Sequence, residues 1–226
     1  MNFAIPEISF ALSQTSNPEA INSALQILLA LTVLTLAPSL IILVTSFTRI
    51  IIVLGFIRNA LATQQTPPNQ VLIGIALFLT FFIMAPVFEE IYSESIQPYT
   101  NGQITQQEAI QKGLSPIRAF MFKQTRKKDL LLFVNFAKIR PKNKADIPTH
   151  ILIVSFVLSE LKTAFQMGFV IFIPFLIIDI TIASVLMSMG MMMLPPVMIS
   201  LPFKILLFIL VDGWNLIVNS LLLSFN

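Results

Sequence analysis

Long stretches without a charged side chain are the feature that most limits how this chain can fold. No residue from Ala20 to Thr48 is charged, and the same holds for Asn59 to Phe88 and for Ile180 to Phe203. About 20 apolar residues are enough for a helix to cross a bilayer. With 56% hydrophobic and 11% charged residues, the chain has more apolar surface than one soluble core can bury. We therefore predict an all-α, integral-membrane protein, and not a soluble globular enzyme or a disordered chain.

Several residue types that support catalysis or metal binding are scarce. The chain has no cysteine, its one histidine is His150, and its seven glycines are scattered singly. These counts exclude thiolate chemistry and argue against a metal site built from histidines or a phosphate-binding glycine loop. We predict no enzymatic activity and no cofactor or metal, and we assign His150 no role.

Prolines and glycines divide the apolar stretches, so we expect broken or kinked helices forming hairpins. Pro38 should kink or break the first stretch, and Pro67-Pro68 should precede the second. We count four membrane spans in total. The apolar helices expected after the first stretch are Val71–Phe88, Ile151–Ile178 with a kink at Pro174, Ile180–Phe203 interrupted at Gly190 and Pro195-Pro196, and Ile205–Phe225.

A polar insertion separates the apolar parts, giving the division 1–88, 89–149 and 150–226. The pattern Thr105–Glu108 predicts a capping box, Gly113 is expected to end that helix, and a second helix should run from Ile117 to about Phe136. Ten of the 14 basic residues lie between Lys112 and Lys144. We interpret this run as a solvated face or a contact with lipid head groups. It lacks the exposed aromatic residues that would favour nucleic-acid binding.

Polar residues form stripes on two of the apolar helices. Ionisable groups within a membrane are costly and usually face a partner or an aqueous path. The stripes indicate either such a role or simple helix packing within one chain. Pairs of opposite charge between subunits could form among five residues, which are Asp179, Lys204, Asp212, Glu160 and Lys162. The first stripe contains Ser155, Ser159, Lys162, Thr163 and Gln166 with Glu160 beside it, and the second contains Asp212, Asn215 and Asn219.

Six of the ten methionines lie in the segment Met187–Met198. Methionine is flexible and fills irregular gaps, so the segment is compatible with a core filler. Gly190 and Pro195-Pro196 also make it compatible with a loop that closes a pore and deforms around a passing chain. The residues of this possible gate are Met187, Met189, Gly190, Met191, Met192 and Met193.

Taken together, motifs spread from about residue 40 to residue 216 resemble those of the FliP family, the core membrane component of the flagellar type III export gate. The virulence injectisome counterparts share the pattern. The matching segments are Thr45–Ile50, Arg58–Leu61, Thr66–Gln70, Ala76–Pro86, Arg118–Met121, Ser159–Gly168, Phe172–Asp179, Gly190–Met193, Pro202–Lys204 and Asp212–Trp214.

The resemblance implies a helical subunit that assembles, as a pentamer, with FliQ, FliR and other components of the export apparatus. The assembly would form a conduit for unfolded flagellar subunits. Met191–Met193 would correspond to the family's methionine gasket, and this favours the gate over the core filler. Arg126, Asp179 and Lys204 would make ionic contacts between subunits.

The resemblance also implies a location in the bacterial inner membrane, within the flagellar basal body, with the polar insertion in the periplasm. The positive-inside rule would instead draw this basic insertion to the cytoplasm, but the rule weakens for loops of about 60 residues. We favour a flagellar over an injectisome subunit. A small-solute transporter and a structural scaffold of the basal body are two less favoured hypotheses.

Overall fold

The computed structural model describes residues 18–63, 65–191 and 193–225, and these contain helices and no strand. The predicted all-α class is confirmed. The described part also contains a π-helical turn, Tyr92–Ile96, and a 3-10 turn, Lys144–Asp146. The α-helices of this described part are α1 Pro18–Val44, α2 Phe47–Ala60, α3 Asn69–Ile91, α4 Gln97–Thr100, α5 Gln106–Gln124, α6 Lys127–Phe136, α7 Thr149–Ser188, α8 Pro196–Leu210 and α9 Gly213–Leu223.

The chain divides into two units, Met1–Ile41 and Ile42–Asn226. The helical part of the first unit belongs to α1, which continues through Pro38, so the expected break does not occur there. Prolines also lie inside α3, α5, α7 and α8. A proline removes one backbone hydrogen bond, and helices of membrane proteins often tolerate this loss.

The short helix α2 forms the core of the second unit. Ile50, Val53, Leu54 and Ile57 are fully inaccessible to solvent, and their spacing of i, i+3, i+4 and i+7 places them on one face. This helix packs mainly on α7 and α3. With 14 residues it is about 21 Å long, less than the roughly 30 Å of a hydrocarbon core.

Helix α7 is the longest element, with 40 residues, and at 1.5 Å per residue it extends for about 60 Å. It continues through Pro174 to Ser188, so the prediction of one helix ending at Ile178 and another starting at Ile180 is wrong. Helices α2, α5, α6 and α8 all pack on it. Its contact with α2 is close at Gly168, where an added Cβ would lie 2.5 Å from ring atoms of Phe56.

The capping box of the insertion is confirmed at the start of α5. The backbone N–H of Thr105 donates to the Glu108 carboxylate at 2.8 Å, and the backbone N–H of Glu108 donates to the Thr105 hydroxyl at 3.3 Å. The backbone and hydroxyl groups of Thr105 together lower the pKa of Glu108.

The predicted boundary between the two insertion helices is wrong, since α5 runs through Gly113 and Pro116 to Gln124. Gly113 serves packing instead, because its missing side chain leaves room for Ser95, whose Oγ would lie 3.2 Å from an added Cβ. A charged loop follows α6 and contains the 3-10 turn.

The last predicted helix, Ile205–Phe225, is broken. Helices α8 and α9 meet at 63°, and Asp212 between them has a left-handed backbone, with φ of 50°. The two described segments long and apolar enough to cross a membrane are Asn69–Thr100 and Thr149–Ser188, and the α8–α9 pair is a third if it acts as one span. This is fewer than the four spans that we expected, since α1 contributes only the shorter apolar segment Leu25–Leu36 among its described residues.

Candidate functional site

A buried ion pair joins α2 to α7. The Arg49 side chain is 2% exposed and the Glu160 side chain 0% exposed. Arg49 Nε donates to Glu160 Oε2 at 2.9 Å, and Nη2 donates to the other carboxylate oxygen. This two-pronged geometry is the strongest form of an arginine–carboxylate contact.

Arg49 also binds the C-terminal end of the described chain. Its Nη1 donates to the backbone oxygen of Ser224 at 2.8 Å and to the Ser224 hydroxyl at 3.0 Å. Its Nη2 donates to Gln124 Oε1 at 3.1 Å, and the Gln124 amide donates to the Phe225 backbone oxygen at 3.0 Å. The guanidinium carbon lies 3.8 Å from the centroid of the Phe225 ring. We call Arg49, Gln124, Glu160, Ser224 and Phe225 the central ion cluster.

The central ion cluster connects α2, α5, α7 and the residues after α9. Burying two charges costs several kcal/mol for each ion, and a pair recovers this cost only when its remaining donors are also satisfied. Ser224 and Gln124 accept hydrogen bonds from the N–H groups of Arg49 that do not bind the Glu160 carboxylate. The arrangement therefore fixes four parts of the fold relative to one another.

The polar face of α7 packs against α6 within the same chain. Ser159 Oγ donates to Asp129 Oδ2 at 2.8 Å and accepts from the backbone N–H of Arg126 at 3.1 Å. The Arg126 guanidinium donates to Thr163 at 3.2 Å and to Gln166. These residues thus stabilise helix packing within one chain, which was one of the two roles considered for the stripe.

The other members of the predicted polar face lie apart from these contacts. Lys162 is exposed on α7 and is not among the residues found to bind Arg126. Asp212 lies in the break between α8 and α9, so it does not form a continuous helical stripe with Asn215 and Asn219, and that prediction is wrong. All three residues of the second stripe are exposed.

A second ion pair joins α7 to α8. Lys204 Nζ donates to Asp179 Oδ2 at 2.6 Å, and Ser200 Oγ donates to Asp179 Oδ1 at 2.5 Å. Lys204 is buried, whereas the Asp179 side chain is 26% exposed. Two residues that were expected to act between subunits therefore bind each other within the chain, and Asp179 retains an accessible edge. Their contact with a second copy stays a prediction.

The methionine-rich segment follows a well-defined end of α7. Gly190 has a φ of 73°; its N–H donates to the Met187 oxygen, and the N–H of Met191 donates to the Leu186 oxygen, both at 3.0 Å. These bonds form a Schellman motif, for which glycine in the left-handed region is the usual residue. Pro195 and Pro196 then begin α8. The segment is therefore held at both ends.

The methionines of this segment face outward. Met193 is 98% exposed, and Met187, Met189 and Met191 are also exposed. Met192 lies outside the described residues. The core-filler interpretation is thus wrong for the five described methionines, Met198 included, because none of them is buried within this chain.

In the described residues no three His, Asp or Glu side chains come together in a way that would hold a metal ion. The arrangement instead offers buried charges that fix helices and an exposed apolar loop between two helices.

Comparison with known proteins decides the family. The FliP family model matches residues 30–221. The chain belongs to the FliP family. The flagellar biosynthetic protein FliP of Bacillus subtilis is 63% identical over 212 residues, which are 93% of this chain and 96% of that protein. The FliP protein of Pectobacterium carotovorum is 54% identical over 203 residues, which are 89% of this chain and 79% of that protein. The FliP protein of Treponema pallidum is 50% identical over 224 residues, which are 98% of this chain and 83% of that protein.

As a FliP family member, the chain is a flagellar biosynthesis and export protein, and an injectisome role is not favoured. It is a component of the flagellar export apparatus. Its apolar helices α3 and α7 are consistent with a membrane-embedded flagellar component.

Sequence reasoning missed the central ion cluster. Glu160 was singled out for its place near a polar stripe, but its partner was not identified. A signal was available, because Arg49 is the first charge after 29 uncharged positions from Ala20 to Thr48. An isolated charge in such a setting usually has a buried partner.

Proposed function

We propose that this chain is a pore-forming subunit of the flagellar export gate, and that its methionine-rich loop closes the conduit. The subunit assembles as a pentamer with FliQ and FliR in the bacterial inner membrane, at the flagellar basal body. Unfolded flagellar subunits are its substrates. The action is steric and not enzymatic, and energy comes from other components.

The observation that carries this proposal is the exposed methionine loop between α7 and α8. The Schellman motif at Gly190 and the start of α8 at Pro196 fix where the loop begins and ends. Between them, Met191, Met193 and Leu194 present exposed apolar side chains. Methionine adapts to surfaces of varied shape. Loops from several copies can therefore exclude water and ions when packed together and still deform around a passing polypeptide.

The exposed apolar surface supports an assembly. Phe78, Phe82, Phe169, Leu210 and many other large apolar side chains are exposed. In the assembly, lipid would cover part of this surface and neighbouring subunits would cover the rest. We propose that Arg126, Asp179 and Lys204 contribute ionic contacts to neighbouring copies in addition to their bonds within the chain.

The test replaces Met191, Met192 and Met193 with alanine in cells that carry the whole apparatus. We expect a higher membrane ion conductance with the apparatus assembled, because alanine leaves space where three long side chains would pack. Met198→Ala is the control, since Met198 is also an exposed methionine but belongs to α8. Conductance and secretion indistinguishable from the unmodified protein in the triple variant would refute the gasket role.

A cysteine at Met193 gives an independent measurement. The chain has no other cysteine, so a crosslink to an export substrate stalled in transit reports this position alone. We expect such a crosslink. Intact secretion without any crosslink would favour a scaffold of the basal body over a conduit.

A further inference from the structure

The polar insertion carries a large excess of cations. Residues 105–149 contain ten Lys and Arg residues and three acidic residues. Each of these three carboxylates already accepts hydrogen bonds within the chain: Glu108 from Thr105, Asp129 from Ser159, and Asp146 from the backbone N–H groups of Lys142 and Asn143. With ten cations and three carboxylates, the insertion has seven cations more than it has anions.

Three of these cations surround one pocket. A cavity of about 500 Å³ lies between α5 and the 3-10 turn Lys144–Asp146. Arg118, Lys123 and Lys144 line it, together with Ser115 and Phe122. No acidic side chain is among its described lining residues. None of the three cations belongs to an ion pair found in the described part of the chain.

The pocket is held in shape by Arg118. Its guanidinium donates to the Ile147 oxygen at 2.8 Å and to the Thr149 hydroxyl at 2.5 Å, so it anchors the turn and the start of α7 to α5. The Arg118 guanidinium carbon and Lys144 Nζ lie 5.6 and 5.7 Å from the centroid of the same Phe122 ring. A shared aromatic surface keeps the two cations near each other in spite of their repulsion.

We propose that this pocket binds a phosphate group. Like charges held together without an acid are stabilised by an anion, and phosphate presents several charged acceptor oxygens to donors from different directions. The Ser115 hydroxyl supplies a neutral donor beside the cations. Two sources offer this chemistry: a soluble phosphate, or the head group of an anionic phospholipid, which basic pockets of membrane proteins bind.

The test measures binding of two probes to the purified full chain in a neutral detergent. Isothermal titration with inorganic phosphate and with dihexanoylphosphatidylglycerol reports the two sources, and dihexanoylphosphatidylcholine controls for lipid without net charge. We expect Lys123→Gln and Lys144→Gln each to weaken binding about five- to tenfold, the range for loss of one partly exposed ionic hydrogen bond. Added NaCl should weaken binding further because it screens exposed charges.

Lys142→Gln is the matched control, since Lys142 is an exposed lysine of the same loop that does not line the pocket. It should change affinity by no more than about twofold, as a distant screened charge contributes little. Lys123 and Lys144 are exposed, so their variants are expected to fold, and helix content by circular dichroism checks this.

Binding of inorganic phosphate alone identifies a soluble ligand, and preferential binding of phosphatidylglycerol identifies a head group; either result supports the site. The absence of binding by both charged probes, or an equal loss in Lys142→Gln and Lys144→Gln, overturns it. Since the readout is affinity and not secretion, this inference is tested independently of the gate proposal.

Discussion

At the scale of single residues, Arg49 and Glu160 lie 111 positions apart and meet in the interior of Ile42–Asn226. Neither charge can be left alone there, because an unpaired buried charge is far more costly than a buried pair. Arg49 also donates a hydrogen bond to the backbone oxygen of Ser224. Their coupling can be measured directly.

We predict that Arg49→Met and Glu160→Met each lower the free energy of unfolding by about 3–5 kcal/mol, because each leaves one buried charge without its partner. The double variant should lose less than the sum of the two, with a coupling of about 1–3 kcal/mol. Reversible unfolding in detergent, followed by circular dichroism, measures all four proteins of the cycle.

Lys162→Met serves as the control, because Lys162 is an exposed charge on the same helix, and its effect should stay within about 0.5 kcal/mol. Additive losses in the double variant would show that the pair contributes no interaction of its own.

At the scale of elements, the contact between α2 and α7 depends on one missing side chain. Gly168 on α7 lies under the Phe56 ring of α2, and Phe56 also meets Phe165 edge-to-face with centroids 5.3 Å apart. The ring thus packs against an aromatic side chain and close to the backbone of the same helix, α7. A side chain at Gly168 would push the two helices apart.

We predict that Gly168→Ala destabilises the protein by about 1–3 kcal/mol through overpacking. Gly55→Ala is the control: Gly55 lies on α2 with nothing within 4 Å of an added Cβ, and alanine is favoured over glycine in a helix by about 1 kcal/mol. Thermal unfolding should therefore move in opposite directions for the two variants. A Gly168→Ala protein as stable as the parent would mean that the helices separate without cost.

Elements also show where sequence patterns succeed. The capping box at Thr105 was predicted correctly because it depends on residues three positions apart. The helix ends expected at Gly113 and Ile178 were wrong because packing on other elements outweighs local preference. The break at Asp212 was missed. Directly after it, the Phe208 ring occupies the space that a Cβ of Gly213 would need, a contact that local sequence does not reveal.

At the scale of the whole molecule, the open question is on which side of the bilayer the cationic insertion lies. Helix α3 leads from the polar turn at residues 61–68 to the insertion. If α3 crosses the membrane, these two polar segments lie on opposite sides. We propose that the insertion is periplasmic and the turn cytoplasmic.

Single cysteines test this topology, since the chain has none of its own. Asn143→Cys in the insertion and Gln65→Cys in the turn both replace exposed residues. In intact cells, a membrane-impermeant maleimide should label Asn143→Cys and leave Gln65→Cys unlabelled until the membrane is permeabilised. The reverse pattern would place the basic insertion in the cytoplasm, as the positive-inside rule favours.

Composition and local pattern by themselves determined the helical class, the membrane character, the capping box and the methionine segment, because these depend on hydrophobic content or on residues close in sequence. Only the tertiary structure decided that α2 is a buried core helix, that Arg49 binds Glu160, and that Asp179 and Lys204 pair within one chain. These features join residues that are distant in sequence. Their energies arise from burial and from partners that local patterns do not encode.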